Sequence, residues 1–159
     1  MKNLVLTVLT LVLAGTAASA QQASQASVDA YVDLLRKDVR SQKVALIGQN
    51  MEFTSEEAAA FWPVYQKYEA ELGKMGDEKL AIIKDYAAHY DKMTNEKARE
   101  LANRTFALEE KITQLKRRYF GEFEKVLPAI KAARLFQLEN QMQRLIDLQI
   151  ASELPLIRK

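Results

Sequence analysis

The only histidine, His89, follows Asp85 by four residues. On a helix that spacing puts both side chains on one face, where they could share a metal ion. Two ligands are too few for a closed metal site, and a pair of this kind is more often a surface hydrogen bond. A Ser-His-acid triad would have to use His89. The serines at 24, 27, 41, 55 and 152 lie in no nucleophile-elbow pattern. A di-iron helical bundle needs two Glu-x-x-His motifs, which one histidine cannot supply. The chain has no cysteine, which removes thiol catalysis, disulfides and Cys-ligated zinc. Glu109-Glu110 and Glu122/Glu124 resemble paired acids. Adjacent helix positions point about 100° apart, so Glu109 and Glu110 do not converge. Their expected partners are the cations between Lys111 and Arg118 along an exposed face. There is no glycine-rich phosphate loop. The sequence therefore predicts no catalytic, cofactor-binding or metal-binding residue, and no enzyme.

The elements that would carry these residues begin after a leader. Lys2, the apolar run Leu4–Ala14 and the small-x-small triplet Ala18-Ser19-Ala20 have the layout of a cleaved signal peptide, with Gln21 following. The run falls short of the roughly 20 residues that a membrane span needs. Thr16 stands where a lipidated cysteine would be. The expected product is an exported, periplasmic chain with no stable membrane anchor. It would hold 139 residues, 22 of them basic and 21 acidic. That balance argues against a nucleic-acid partner, and the length suits one domain with a real core.

Apolar residues recur at spacings of three and four throughout, which predicts an all-α fold. After a polar leader over 21–27, one helical domain is expected over 28–152, with a tail over 153–159. The first helix is expected from about Val28 to Ile47, with Gly48 as a left-handed cap. The second opens with a capping box, Thr54 and Glu57. Phe53 before it would staple onto Ala58 or a nearby apolar side chain. Its stripe is Phe61, Tyr65, Tyr68, Leu72, Met75, Ile82, Tyr86 and Met93. The tyrosines are read as seam residues, with a ligand cluster as the alternative. Gly73 and Gly76 are the weak points, where Asp77 could cap a new helix. Thr94 is the expected cap of the third helix. Its stripe of Leu101, Thr105, Leu108, Ile112, Leu115, Tyr119 and Val126 follows a heptad seam, widened by Phe106, Phe120 and Phe123. Pro128 opens the last helix, which carries Leu135, Leu138, Met142, Leu145, Ile146 and Ile150. Pro155 ends it. Four helices with two long middle ones predict a long antiparallel helical hairpin, of the sort completed by dimerisation.

Two features fall outside that periodicity. Pro63 sits inside the second helix, where it removes the hydrogen bond to the Ala59 carbonyl. It predicts a bend, with the neighbouring Trp62 at least half buried at an interface. The stretch from Phe53 also echoes the stretch from Leu127. Ala58-Ala59 lies over Ala132-Ala133, and Phe61-Trp62 over Leu135-Phe136. Either two helix starts pack alike, or two amphipathic helices resemble each other by chance.

The leader, the four helices and the two spaced helix starts resemble the Spy/CpxP family of periplasmic stress proteins, marked by a repeated Leu-Thr-x-x-Gln motif. Here the copies are Phe53-Thr54-Ser55-Glu56-Glu57 and Leu127-Pro128-Ala129-Ile130-Lys131. The first keeps threonine and the second keeps leucine. The resemblance implies a bent hairpin that dimerises into a cradle. A basic and apolar concave face would hold unfolding proteins without ATP or sense envelope stress. The residues it points to are Phe53, Thr54, Phe61, Trp62, Pro63, Leu135 and Phe136, with the cations Arg36, Lys37, Arg40, Lys43, Lys111, Lys116, Arg117 and Arg118. For any one cation, a solvated helix face is the alternative. Unfolded or envelope proteins and a second copy are the expected partners. The rival readings are an adaptor for one envelope partner and a small-molecule or metal sensor in a helical-bundle core.

Overall fold

The computed structural model describes residues 40–157, apart from the side chains of Gln149 and Glu153. The chain divides into two compact units, Met1–Leu46 and Ile47–Lys159. Four α-helices and no strand occur among the described residues. They are α1 over residues 40–50, α2 over Ser55–His89, α3 over Asn95–Glu124 and α4 over Ala129–Glu153. A short 3-10 turn, Tyr90–Lys92, joins α2 to α3. The expected start of the first helix near Val28 lies outside the described residues.

In the first unit, the described residues 40–46 are helical, with Lys43 buried and Val44 and Leu46 exposed. The helix continues past Gly48, which carries no left-handed backbone. The left-handed residue is Glu52, at φ 49°. This corrects the expected cap at Gly48. A non-glycine residue in that region costs roughly 1–2 kcal/mol. Its carbonyl accepts a hydrogen bond from Lys131 Nζ at 2.9 Å, which ties the turn to the start of α4.

The second unit is built on α2 and α3. Thr54 Oγ1 accepts from the Glu57 amide at 3.2 Å, and the Glu57 carboxylate accepts from the Thr54 amide at 2.8 Å. Two of the orphan amides at the α2 start are thereby satisfied, a cap of about 1 kcal/mol. Thr94 caps α3 through the Lys97 amide at 3.2 Å. From its cap, α2 runs unbroken for 35 residues, through Pro63 and both glycines. At 1.5 Å per residue that is about 50 Å. Pro63 is exposed, as is Ala59, whose carbonyl loses its helical donor. Solvent can reach that carbonyl, which limits the cost of the proline.

The α2–α3 hairpin is antiparallel. Its seam is the predicted one: Phe61, Tyr65, Tyr68 and Ile82 of α2 are buried, as are Leu101, Leu108, Leu115, Tyr119 and Phe123 of α3. The buried residues form two clusters. The smaller, Ile82 with Leu101 and Leu108, holds the turn end of the hairpin. The larger joins Ile47 and Met51 to the start of α2, the end of α3 and the start of α4. Rings dominate it. Phe61 stands 5.4 Å from both Tyr65 and Phe123, and Tyr68 stands 5.3 Å from Tyr119. Aromatic pairs at these separations contribute about 0.5–1.5 kcal/mol beyond their buried area.

Phe106 and Leu145 sit at stripe spacing but not in the core. They are 65 % and 69 % exposed. Each lies on a helix face that no other described helix covers, which corrects their assignment to the apolar stripe.

Candidate functional site

The Asp85–His89 pair is the first candidate for chemistry. His89 Nδ1 stands 2.9 Å from Asp85 Oδ1 and 2.9 Å from the Asp85 carbonyl oxygen. The same carboxylate holds Arg104 at 2.5 Å and Lys97 at 3.4 Å. Partial burial pushes the Asp85 carboxyl up, but the Arg104 hydrogen bond and the Lys97 charge outweigh it and hold it below its ordinary value. Both cations sit on Asp85 Oδ2, and His89 stands against Oδ1, so each oxygen that a metal would need already has a partner. Among the described residues, no three acidic or histidine side chains converge on a metal position.

Asp85 is one rung of a ladder. Glu71, Glu78 and Asp85 recur every seven residues on α2, and Arg104, Lys111 and Arg118 do so on α3. Antiparallel packing sets the two rows face to face. Glu71 pairs with Arg118, and Asp85 with Arg104. Glu78 takes Lys111 on both oxygens at 2.9 and 3.0 Å. The predicted pairing of Glu109 and Glu110 with cations of their own helix is corrected: Lys111 and Arg118 cross to α2, Lys116 binds Asn140 of α4 at 2.7 Å, and Glu110 accepts from Gln114. Exposed pairs are individually weak. Their value here is register, since a slip of one residue would break every rung.

At the top rung the ladder enters the core. The Tyr119 hydroxyl donates to Glu71 Oε1 at 2.6 Å, and Arg118 stands 5.3 Å from the Tyr119 ring. The Tyr119 hydrogen bond, then Arg118, hold the Glu71 carboxyl below its ordinary value. Burial first, then Glu71, push the Tyr119 phenol up to about 12. An open groove lies beside this rung, lined by Glu71, Met75, Lys111, Gln114, Leu115 and Arg118.

The two helix starts of the internal echo lie side by side. Lys131 Nζ binds the Glu57 carboxylate at 2.5 Å, and the Tyr65 hydroxyl donates to Glu139 Oε1 at 2.8 Å. Both partners of each pair are 74 residues apart, the same offset that lays Phe53 on Leu127. With Lys79 and Asp147 in contact farther along, α2 and α4 run parallel. Their backbones stay more than 8 Å apart, so only long side chains bridge them. The burial pattern repeats as well. Phe61 and Leu135 are fully buried, Trp62 and Phe136 partly buried, and Tyr65 and Glu139 buried. Of residues 53–68, only 53, 58, 66 and 68 differ in burial from the residue 74 positions on. The Lys131 hydrogen bond, then the Thr54 amide, hold the Glu57 carboxyl below its ordinary value.

The predicted interface residues divide between core and surface. Phe61 and Leu135 lie wholly inside, and the Thr54 hydroxyl is taken by the helix cap. Phe53 packs on Phe61 at 4.5 Å, with Trp62 at 6.3 Å, a nearby apolar side chain as expected of the staple. Trp62 is more than half buried, set edge-on to Phe61 at 5.0 Å and Tyr65 at 5.8 Å. These ring contacts all lie within its own chain. Phe136 rests against Phe120, Phe123 and Tyr68. Pro63, Arg40 and Arg117 are exposed, Arg118 is committed to Glu71, and Lys43 is buried. Arg36 and Lys37 lie outside the described residues.

What the sequence reading missed is the set of apolar side chains left outside: Phe106, Ile130 at 80 % exposure, and Leu145 and Leu148 at 69 % each. A signal existed for Ile130, whose counterpart at the same echo position is the exposed Glu56. No family model, no curated protein and no solved structure matches the chain.

Proposed function

We propose that this is an exported, periplasmic helical protein that binds other proteins without ATP, in a chaperone-like or envelope-stress-sensing role. The observation that carries the reading is the exposure of Phe106 at 65 % and Ile130 at 80 % on helices whose charged side chains are largely committed to one another. Phe106 lies on an outer row of α3 with Asn103, Glu110 and Thr113, and farther along Arg99 and Arg117, all exposed. An exposed ring on a charged outer row suits weak, reversible capture of flexible chains, which modest apolar area holds. The side-by-side placement of the two motif copies supports the proposed kinship with the Spy/CpxP family, since their fifth residues, Glu57 and Lys131, touch each other.

Suppression of a client's aggregation, followed by light scattering, tests this reading. Scattering is expected to fall as this protein is added. A client that aggregates unchanged at equimolar or higher ratio would sink the proposal, and a single stoichiometric partner in a pull-down would replace it with an adaptor role.

A further inference from the structure

We infer that the outer face of the second half of α4 docks reversibly on anionic lipid surfaces. The exposed positions there, taken at helical spacing, are Gln141, Arg144, Leu145, Leu148, Ala151 and Ser152. None is acidic. Leu145 and Leu148 are each 69 % exposed, and residues three apart on a helix are neighbours, so they form one apolar patch. Arg144 stands beside them, exposed and without a partner among the described residues.

Asp147, the acid that flanks this face, is engaged from the side. Asp147 binds Lys79 of α2 at 2.5 Å and accepts from Gln143 at 2.9 Å. Past the helix, Tyr86 donates to the Pro155 carbonyl at 2.5 Å and Tyr90 to the Leu156 carbonyl at 3.2 Å. These bonds tie the backbone of the tail to the end of α2 and the turn that follows it, yet leave Leu156 90 % exposed and Ile157 50 % exposed. Arg158 and Lys159 follow in the sequence.

Leucines projecting from a helix face whose exposed positions carry a cation and no acid suit the boundary between headgroups and acyl chains, where the cation meets lipid phosphates. A second copy on the same face would find no acid for Arg144 and would add another cation. An apolar peptide would need a groove, and this is the open outer side of a helix. No helix among the described residues is long and apolar enough to cross a membrane, so the docking lies on the surface. The inference does not rest on client binding.

Co-sedimentation of the chain from Gln21 onward, which leaves out the apolar leader, with phosphatidylglycerol/phosphatidylcholine vesicles tests it. Binding is expected to the anionic vesicles, to weaken with added salt, and to be nearly absent with phosphatidylcholine alone. L145S/L148S should weaken it by about tenfold with an unchanged melting curve, because both side chains are already in water. R144E should weaken it with both leucines in place. Parent chain that stays in the supernatant would overturn the inference, as would L145S/L148S binding like the parent. If the parent dimerises without vesicles and L145S/L148S does not, a second copy covers the face instead. If an acidic, leucine-rich peptide strips the parent from vesicles, the face belongs to a protein partner.

Discussion

Tyr65 of α2 and Glu139 of α4 meet at 2.8 Å inside the core, 74 residues apart in sequence. They occupy the same position in two helix starts that run parallel and in register. Glu57 and Lys131 repeat the relationship two turns earlier. The large aromatic cluster follows from this arrangement. Backbones more than 8 Å apart leave a gap that rings and long side chains must fill, and the end of α3 supplies Tyr119 and Phe123 from the opposite direction.

Two tyrosines about one turn apart should respond oppositely to loss of the hydroxyl. Tyr68 is fully buried, and its hydroxyl has no partner among the described residues. An unsatisfied buried polar group costs about 1–3 kcal/mol, so Tyr68→Phe should stabilise the fold by about 1 kcal/mol. Tyr65→Phe removes a donor from a buried carboxyl group and should destabilise by about 1–3 kcal/mol. Urea unfolding of both variants checks the pair. Equal shifts in one direction would contradict the account.

The ladder should obey its partners rather than its charges. Glu78→Lys places two cations together and is expected to lower stability by up to about 1 kcal/mol. Adding Lys111→Glu restores an opposite-charge pair and should recover most of the loss. Recovery by a change at Glu109 instead would mean that the helices sit in another register. A double-mutant cycle in low salt reads the coupling directly.

The sequence made the helices and their seam legible because each is a local repeat. Thr54 with Glu57, and the heptads from Leu101 to Tyr119, need no knowledge of a partner. Contacts between helices were harder. Lys111 and Arg118 have acidic neighbours on their own helix, and nothing within that helix says that Glu78 and Glu71 will be nearer. The seven-residue spacing of both rows carried the signal, but only for two rows read together. The echo at Phe53 and Leu127 held the α2–α4 register in the same latent form. Phe106 and Leu145 could not be placed by spacing, because periodicity shows that a residue points with the stripe and not whether another helix reaches it. Gly48 was a plausible cap, but its helix continues and Glu52, fastened by Lys131, makes the left-handed turn instead.

Titration should move stability at both ends of the pH scale. Glu57, Glu71, Asp85 and Glu100 are all held below their ordinary values in the folded chain. Once unfolded they bind protons at higher pH, so acid favours the unfolded state. Stability should hold near neutrality and decline as pH falls below about 4.5, the ordinary glutamate value. At the alkaline end the phenols of Tyr65, Tyr68 and Tyr119 are raised, chiefly by burial. Their contribution is complete below pH 10.0 and declines as pH rises above it; that of Tyr119 is spent near 12, where it titrates in the fold, while those of Tyr65 and Tyr68 are still declining. Ultraviolet titration of the six tyrosines should show these three ionising late, together with unfolding. All six ionising near pH 10 in a chain that keeps its helical circular dichroism would contradict the burial described.

The reading of this chain as a protein-binding one turns on side chains left outside its core, and light scattering on an aggregating client addresses it most directly. The parent should suppress aggregation, and F106S/I130S, which alters only exposed side chains, should lose most of that suppression while melting at the parent temperature. Unchanged scattering with the parent, or equal suppression by F106S/I130S, would contradict the account.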